Sequence, residues 1–394
     1  MPPPPCKFGT HCYRRKNRKH MEEFSHDQHE PIKNELKLTE VSSTNLKRTA
    51  QSPLDENVEE NVKYAKLTLA NDEIANDLRG KFLVSFPPEF FRFWNDIQTL
   101  IQKTVDNDDP RVALSALKNL RLLGVFRYLH TNPHETSTID ANIYLTMDRY
   151  ANDLPEMQTI AVYDGGRFAY WRDTPNDERP LLVHVDSKVE HFAKLELIGV
   201  ADPVYMVAYL KSKAGDTLPK VDNILAKLLH ADSALCGGDG KYDVKVFHKK
   251  YDALLKELRA KRRKQALGEP FHGLGIVVKV ENDIGYRPLS EKPARLKHQL
   301  QEIATTSDAE MKRKLMEPIM ELVSYVQFAN DEMDFGMGLE LGHNLFLSNF
   351  VDFDKLAVSI LSGAYTLLGR DEFSRILKAH AGIRRSFDSK GNDE

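Results

Sequence analysis

Thr159-Ile160-Ala161-Val162-Tyr163-Asp164-Gly165-Gly166-Arg167-Phe168-Ala169-Tyr170-Trp171-Arg172 is a pair of β-branched and aromatic runs on either side of Asp-Gly-Gly. This spacing predicts a β-hairpin, because Asp-Gly supplies a turn whose twist matches that of the two strands. Leu181-Leu182-Val183-His184-Val185 follows as a third strand. Helical patterns surround these strands without regular βαβ alternation. The expected class is therefore α+β, mixed helices with an antiparallel-rich sheet, and not a doubly wound sheet. His184, alone among aliphatics, reads as a hydrogen-bonded core or edge histidine.

Toward the N-terminus, Gly124 to Leu129 reads as a further strand and Asp109 to Leu117 as a helix. Phe90, Phe91, Phe93, Trp94, Ile97 and Leu100 give a helical apolar face, opened by Pro87-Pro88. Toward the C-terminus, helices are expected over Val204–Lys213, Leu218–Leu229 and Lys241–Leu267. The last ends in Lys261-Arg262-Arg263-Lys264, read as a solvated helix end, with a nuclear-import or nucleic-acid role as the alternative. Leu274 to Val280 is the clearest strand of this half. Leu315, Ile319, Leu322, Val323 and Val326 mark an amphipathic helix, and two more helices follow around Leu361 and Ile376. The Cys236-Gly237-Gly238-Asp239-Gly240 loop is a plausible division of the body into two lobes, 79–236 and 237–386, with a tail at 387–394.

The chain has 394 residues, a formal net charge of −3, 41% hydrophobic and 29% charged residues. That balance describes a globular body with no global attraction to nucleic acid. No apolar run of membrane-spanning length occurs, and the Pro2–Pro5 start lacks the apolar stretch of a signal peptide. Residues 31–78 are polar with little apolar periodicity and read as a flexible linker, with room for a short helix near its end.

Residues 1–30 hold Cys6, Cys12, His20 and His26. Two thiolates and two imidazoles suit tetrahedral zinc, and metal binding would supply the folding energy that so short a segment cannot obtain from a core. His11 or His29 could replace one ligand. Aromatic and basic residues interleave with these four, a composition suited to a nucleotide ligand.

Phe328-Ala329-Asn330-Asp331-Glu332-Met333-Asp334-Phe335-Gly336-Met337-Gly338-Leu339-Glu340-Leu341-Gly342 sets three acids in four residues before three glycines. It reads as a Gly-rich loop between apolar segments, with the glycines shaping that loop. The glycine spacing departs from a dinucleotide fingerprint, and no Walker-type Gly-Lys-Ser/Thr follows. An EF-hand ligand series, a GxSxG elbow and HExxH are also missing. A distinctive carboxylate cluster without a cofactor motif does not describe a self-sufficient enzyme.

The cysteine and histidine spacing, with Gly9 and Cys12-Tyr13-Arg14, resembles the poly(ADP-ribose)-binding zinc finger. That resemblance implies Phe8 and Tyr13 stacking on adenine and Arg14 contacting phosphate. The run Phe328–Gly342, with Gly285-Tyr286-Arg287 and the Phe90–Trp94 cluster, resembles the histone PARylation factor family over roughly Phe82–Leu377. The resemblance implies a nuclear protein, acting on chromatin at DNA damage, that docks on a poly(ADP-ribose) polymerase and completes its active site. The polymerase would bind NAD, and Glu332 would be the base for serine ADP-ribosylation of histones and of the polymerase. Asp331, Tyr286 and Arg287 would lie at the interface, and Asp334 reads as structural. The finger departs from familiar members of that family. The alternative is a non-catalytic adaptor that reads poly(ADP-ribose). No sequence-specific DNA binding and no membrane association are expected.

Overall fold

The computed structural model describes residues 72–102, 109–131, 142–214, 219–230 and 233–386. The finger residues Cys6, Phe8, Cys12, Tyr13, Arg14, His20 and His26 lie outside them, as do most of the linker and the 387–394 tail. Residues 72–82 form helix α1, which begins inside the stretch read as linker; Leu78 within it is fully buried.

Five strands form one antiparallel meander in chain order: β1 Arg121–Leu122, β2 Met157–Tyr163, β3 Gly166–Trp171, β4 Leu181–Asp186 and β5 Glu196–Val200. The hairpin closes as expected, with Tyr163 opposite Gly166. Every residue of β3 is buried, so helices must cover both faces of the sheet. Alternation along the strand shows how. Tyr170 approaches Phe90 of α2 (Pro88–Gln102), while its neighbour Trp171 turns to the opposite layer and meets the ring of His272 at 4.6 Å. Pro88 occupies the first position of α2, as the sequence predicts.

Two local expectations near β1 give way to long-range packing. Val125–His130 is helix α3 and not a strand, because Gly124 turns the chain at φ +60° and donates its N–H to Asp148. That turn places Phe126 at 4.6 Å from the Phe90 ring. The stretch from Asp109 is a 3₁₀ turn over Pro110–Val112 followed by irregular turns, ending in Lys118 and Asn119 at positive φ. Next come α4 (Asn142–Thr146), α5 (Val204–Ala214), α6 (Pro219–Leu228) and α7 (Val244–Gln265).

Leu274–Val280 is extended but joins no sheet; its only pairing among the described residues is the bridge between Leu267 and Ile276. Gly275 at φ +65° interrupts it. Its carbonyls accept instead from guanidinium groups: Arg262 binds Leu274 O at 2.8 Å and Gly275 O at 3.1 Å, and Arg370 binds Val277 O at 2.6 Å. Leu274, Ile276 and Val278 keep the period-two burial of a strand without the ladder. Arg262, read as part of a solvated basic run, is therefore buried and also paired with Asp173.

The C-terminal helices are α8 (Pro293–Thr305), α9 (Ala309–Asp331), α10 (Gly336–Ser348), α11 (Asp354–Leu367) and α12 (Asp371–Ile383). The glycines of the acidic run belong to α10 and do not shape a loop. All thirteen residues of that helix are buried. Its glycines permit close approach of neighbours, since a Cβ on Gly342 would lie 2.5 Å from Leu361 Cδ2.

Candidate functional site

Helix α9 starts on Asp308, whose side chain accepts the Met311 N–H at 2.7 Å, and buries Ile319, Leu322, Val326 and Ala329 along one stripe. It ends in a Schellman turn. Asp334 N–H reaches Ala329 O at 2.8 Å, and Met333 N–H reaches Asn330 O at 3.1 Å. Met333 occupies the left-handed position, at φ +68°, that glycine usually fills. This turn separates the three acids. Asp331 and Glu332 stand exposed at the helix end, whereas Asp334 is turned inward and buried.

The carboxylate of Asp334 holds the neighbouring segment. Its Oδ1 accepts the Gly285 N–H at 2.8 Å, and Gly336 N–H returns to Gly285 O at 3.0 Å. Gly285 at φ +131° lies against the Lys279 carbonyl, where a side chain would have no room. Arg287 is thereby placed over the acids. Its Nη2 donates to Glu332 Oε2 and lies 3.0 Å from Asp334 Oδ2. Glu332 retains 60% of its side-chain exposure in this pair. Solvent screens such a contact, so a partner can rearrange it at little cost.

Tyr286 points the other way. Its hydroxyl donates to Glu340 Oε2 at 2.8 Å, and Glu340 Oε1 accepts the Glu269 N–H at 2.8 Å. Burial raises the Glu340 carboxyl above the usual range, and burial with the facing Glu340 charge raises the Tyr286 phenol. The sequence-derived set thus divides: Glu332, Asp331 and Arg287 share one exposed corner, while the hydroxyl of Tyr286 braces the segment from inside.

Glu340, His343 and Asn344 escaped sequence reasoning. Their i, i+3, i+4 spacing in an otherwise apolar helix was the available signal. Asn344 Oδ1 accepts the Phe271 N–H at 2.8 Å. His343 joins a chain in which Leu274 N–H donates to His272 Nδ1, His272 Nε2–H to His343 Nδ1, and His343 Nε2–H to Glu156. The tautomers follow from the carboxylate at one end and the amide at the other. Burial and the adjacent His343 and Arg262 hold His272 well below its ordinary pKa, in keeping with a neutral relay that ties the 266–275 loop to α10. His184 is likewise satisfied, between the hydroxyls of Tyr163 at 2.9 Å and Tyr209 at 3.1 Å.

Beside Glu332 the surface is apolar. Tyr325 and Phe328 are 39% and 59% exposed, and positions 325, 328 and 332 follow one another on a single helix face. The arrangement offers a carboxylate at a helix end, a guanidinium that can exchange partners, and an aromatic surface fit for a protein. Among the described residues, no group of three or more His, Cys, Asp or Glu could hold a metal.

The family model described as Histone PARylation factor 1 matches residues 73–384, and that described as PBZ domain matches residues 4–30. Histone PARylation factor 1 of Mus musculus is 31% identical over 341 residues, covering 83% of this chain and 92% of the relative. That of Danio rerio is 32% identical over 333 residues, covering 82% and 91%. The putative Histone PARylation factor 1-like protein of Homo sapiens is 31% identical over 342 residues, covering 83% and 92%. A match of this length, across the sheet and the acidic corner alike, means that the chain belongs to the Histone PARylation factor 1 family and bears a PBZ domain at its N-terminus.

Proposed function

We propose that this chain is an accessory factor that docks on a poly(ADP-ribose) polymerase and completes its active site for serine ADP-ribosylation of histones and of the polymerase. Glu332 is the general base. A serine hydroxyl is a weak nucleophile until its proton is removed as the new bond forms. In the step, serine Oγ bonds to the ribose carbon bearing nicotinamide, the carbon–nitrogen bond to nicotinamide breaks, and the serine proton passes to the Glu332 carboxylate. NAD is held by the polymerase. Arg287 and Asp331 dock, with the Tyr325–Phe328 surface beside them. Arg287 occupies Glu332 at rest, so moving the guanidinium onto the partner frees the base where it is needed.

The observation behind this reading is the contrast between Glu332 and Asp334. One carboxylate of the cluster is presented at a rigid helix end, and the other is spent inside. In the finger, the Cys6, Cys12, His20 and His26 donor set fits structural zinc. Phe8, Tyr13 and Arg14 would hold poly(ADP-ribose), and the protein would work in the nucleus on chromatin at DNA damage sites.

The test is reconstitution of the chain with polymerase, DNA, NAD and a histone peptide, mapping modified residues by mass spectrometry. Glu332→Ala should keep polymerase binding and lower serine modification by about 10²–10⁴-fold, the usual contribution of a general base. Undiminished serine modification would overturn the assignment and leave an adaptor role.

A further inference from the structure

Behind the acidic corner, the loop whose Gly268 and Glu269 pack on Glu340 also forms one wall of a cavity of about 880 Å³. Its other walls are the end of β4, β5, the last turn of α5 and the last turns of α7. The acidic corner does not use it.

Five cations line this cavity: Lys194, Lys213, Arg259, Arg262 and Arg263. Arg262 is committed to Asp173 and to two carbonyls. The remaining four come from three separate segments, the approach to β5, the end of α5 and the end of α7. Compensation of one helix dipole explains basic residues at one helix end; it does not explain convergence from three.

The two carboxylates of the lining, Asp186 and Glu196, offset only half of the charge of these four. Asp186 caps its own turn by accepting the Lys188 N–H at 2.8 Å. Glu196 already accepts the Tyr209 hydroxyl at 2.9 Å, with Lys213 Nζ at 3.3 Å and Arg259 Nη2 at 3.9 Å. The side chains of Lys194 and Arg263 have no hydrogen-bond or ion-pair partner among the described residues, and both residues are exposed. The result is a local positive field on a chain of net charge −3. His184, at the back wall, is held below its ordinary pKa by burial and adds no charge.

We propose that this cavity is a second anion-binding site that takes the phosphates of a poly(ADP-ribose) strand. Guanidinium groups bind phosphate oxygens in a bidentate fork, and a concave wall focuses their field. The volume far exceeds one phosphate, which points to a segment of polymer. A recess of this kind admits a flexible single strand more readily than a rigid duplex. The choice of polymer rests on the function proposed above, in which poly(ADP-ribose) is the product made nearby. Finger and cavity on one chain would then grip the same strand at two points and raise its local concentration.

The experiment uses the full chain with its finger disabled by Cys6→Ala and Cys12→Ala, so that polymer binding reports the body alone. Fluorescence anisotropy is measured with labelled poly(ADP-ribose), and in parallel with single-stranded DNA of matched length, across a salt series. The chain should bind poly(ADP-ribose) more tightly than the DNA, and Lys194→Ser with Arg263→Ser should weaken that binding roughly tenfold. The slope of log affinity against log salt should flatten by about 1.4, the loss of two single-strand phosphate contacts. Lys249→Ser with Lys256→Ser, an equal charge change on exposed α7 positions outside the cavity, should shift affinity less than twofold. Absence of binding, equal losses in the two double variants, or tighter binding to DNA would overturn the proposal. No polymerase is present, so these outcomes are separate from the Glu332 test, which fails only if serine modification persists in Glu332→Ala.

Discussion

Replacing Asp334 by Ala removes the one acid of the cluster that faces inward, and its cost follows from what it holds. Its Oδ1 is the partner of the Gly285 N–H at 2.8 Å, and Gly285 is buried. A buried donor left without an acceptor costs ~1–3 kcal/mol, toward the upper end where the acceptor was charged. The contact with Arg287 adds nothing to this figure, because that guanidinium is open to solvent. A loss of about 2–3 kcal/mol corresponds to a fall in thermal midpoint of roughly 3–5 °C for a body of this size. Urea titration with a fixed m-value measures the free energy, and amide exchange at Ile284 and Gly285 locates it. Asp334→Asn, which keeps an oxygen acceptor, should lose about half as much. Because Gly285 sets the position of Arg287, Asp334→Ala should also weaken the proposed docking on a polymerase, unlike Glu332→Ala. Stability within ~0.5 kcal/mol of the parent, with unchanged exchange at Gly285, would refute the reasoning.

Gly342→Ala should destabilise by about 1–3 kcal/mol through overpacking, since its Cβ would meet Leu361 Cδ2 at 2.5 Å and Cγ at 2.6 Å. Adding Leu361→Ala to that variant should cost less than Leu361→Ala alone in a denaturation cycle. His380 is held near a pKa of about 3, first by burial and then by the Arg149 charge. The unfolded chain therefore takes up a proton that the folded chain refuses. His380's contribution to stability is complete above about pH 6.5 and declines as pH falls toward 3. At pH 5 the loss is ~2 kcal/mol, and His380→Phe should flatten that limb in pH-resolved melts. For the finger, Tyr13→Ala, Arg14→Ala and zinc removal should each weaken poly(ADP-ribose) binding of the full chain by about tenfold or more, read by anisotropy. Unchanged affinity in all three would remove the assignment.

Features whose causes lie close together in the chain were legible without coordinates. Asp164-Gly165 between a β-branched run and an aromatic run specifies its hairpin locally, Pro88 opens its own helix, and the stripe from Ile319 to Val326 needs only a 3.6-residue period. The density of acids at 331–334 was equally visible. Its division, with Asp334 structural and Glu332 presented, was read through the family resemblance and agrees with the structure, but its cause was not local: a left-handed Met333 and the distant Gly285 turn Asp334 in while Glu332 faces out. The same holds for Leu274–Val280, which has the composition and alternation of a strand. Its carbonyls go to Arg262 and to Arg370, 93 residues away, and no local pattern encodes that capture. Gly336, Gly338 and Gly342 read as loop formers because glycine is a poor helix former in isolation. Inside the body the closeness of Tyr286, Val326 and Leu361 outweighs that preference. Period and turn chemistry are short-range properties and were therefore written in the chain. Which carboxylate stays in water, and which carbonyl meets a guanidinium, depends on groups brought together only by folding.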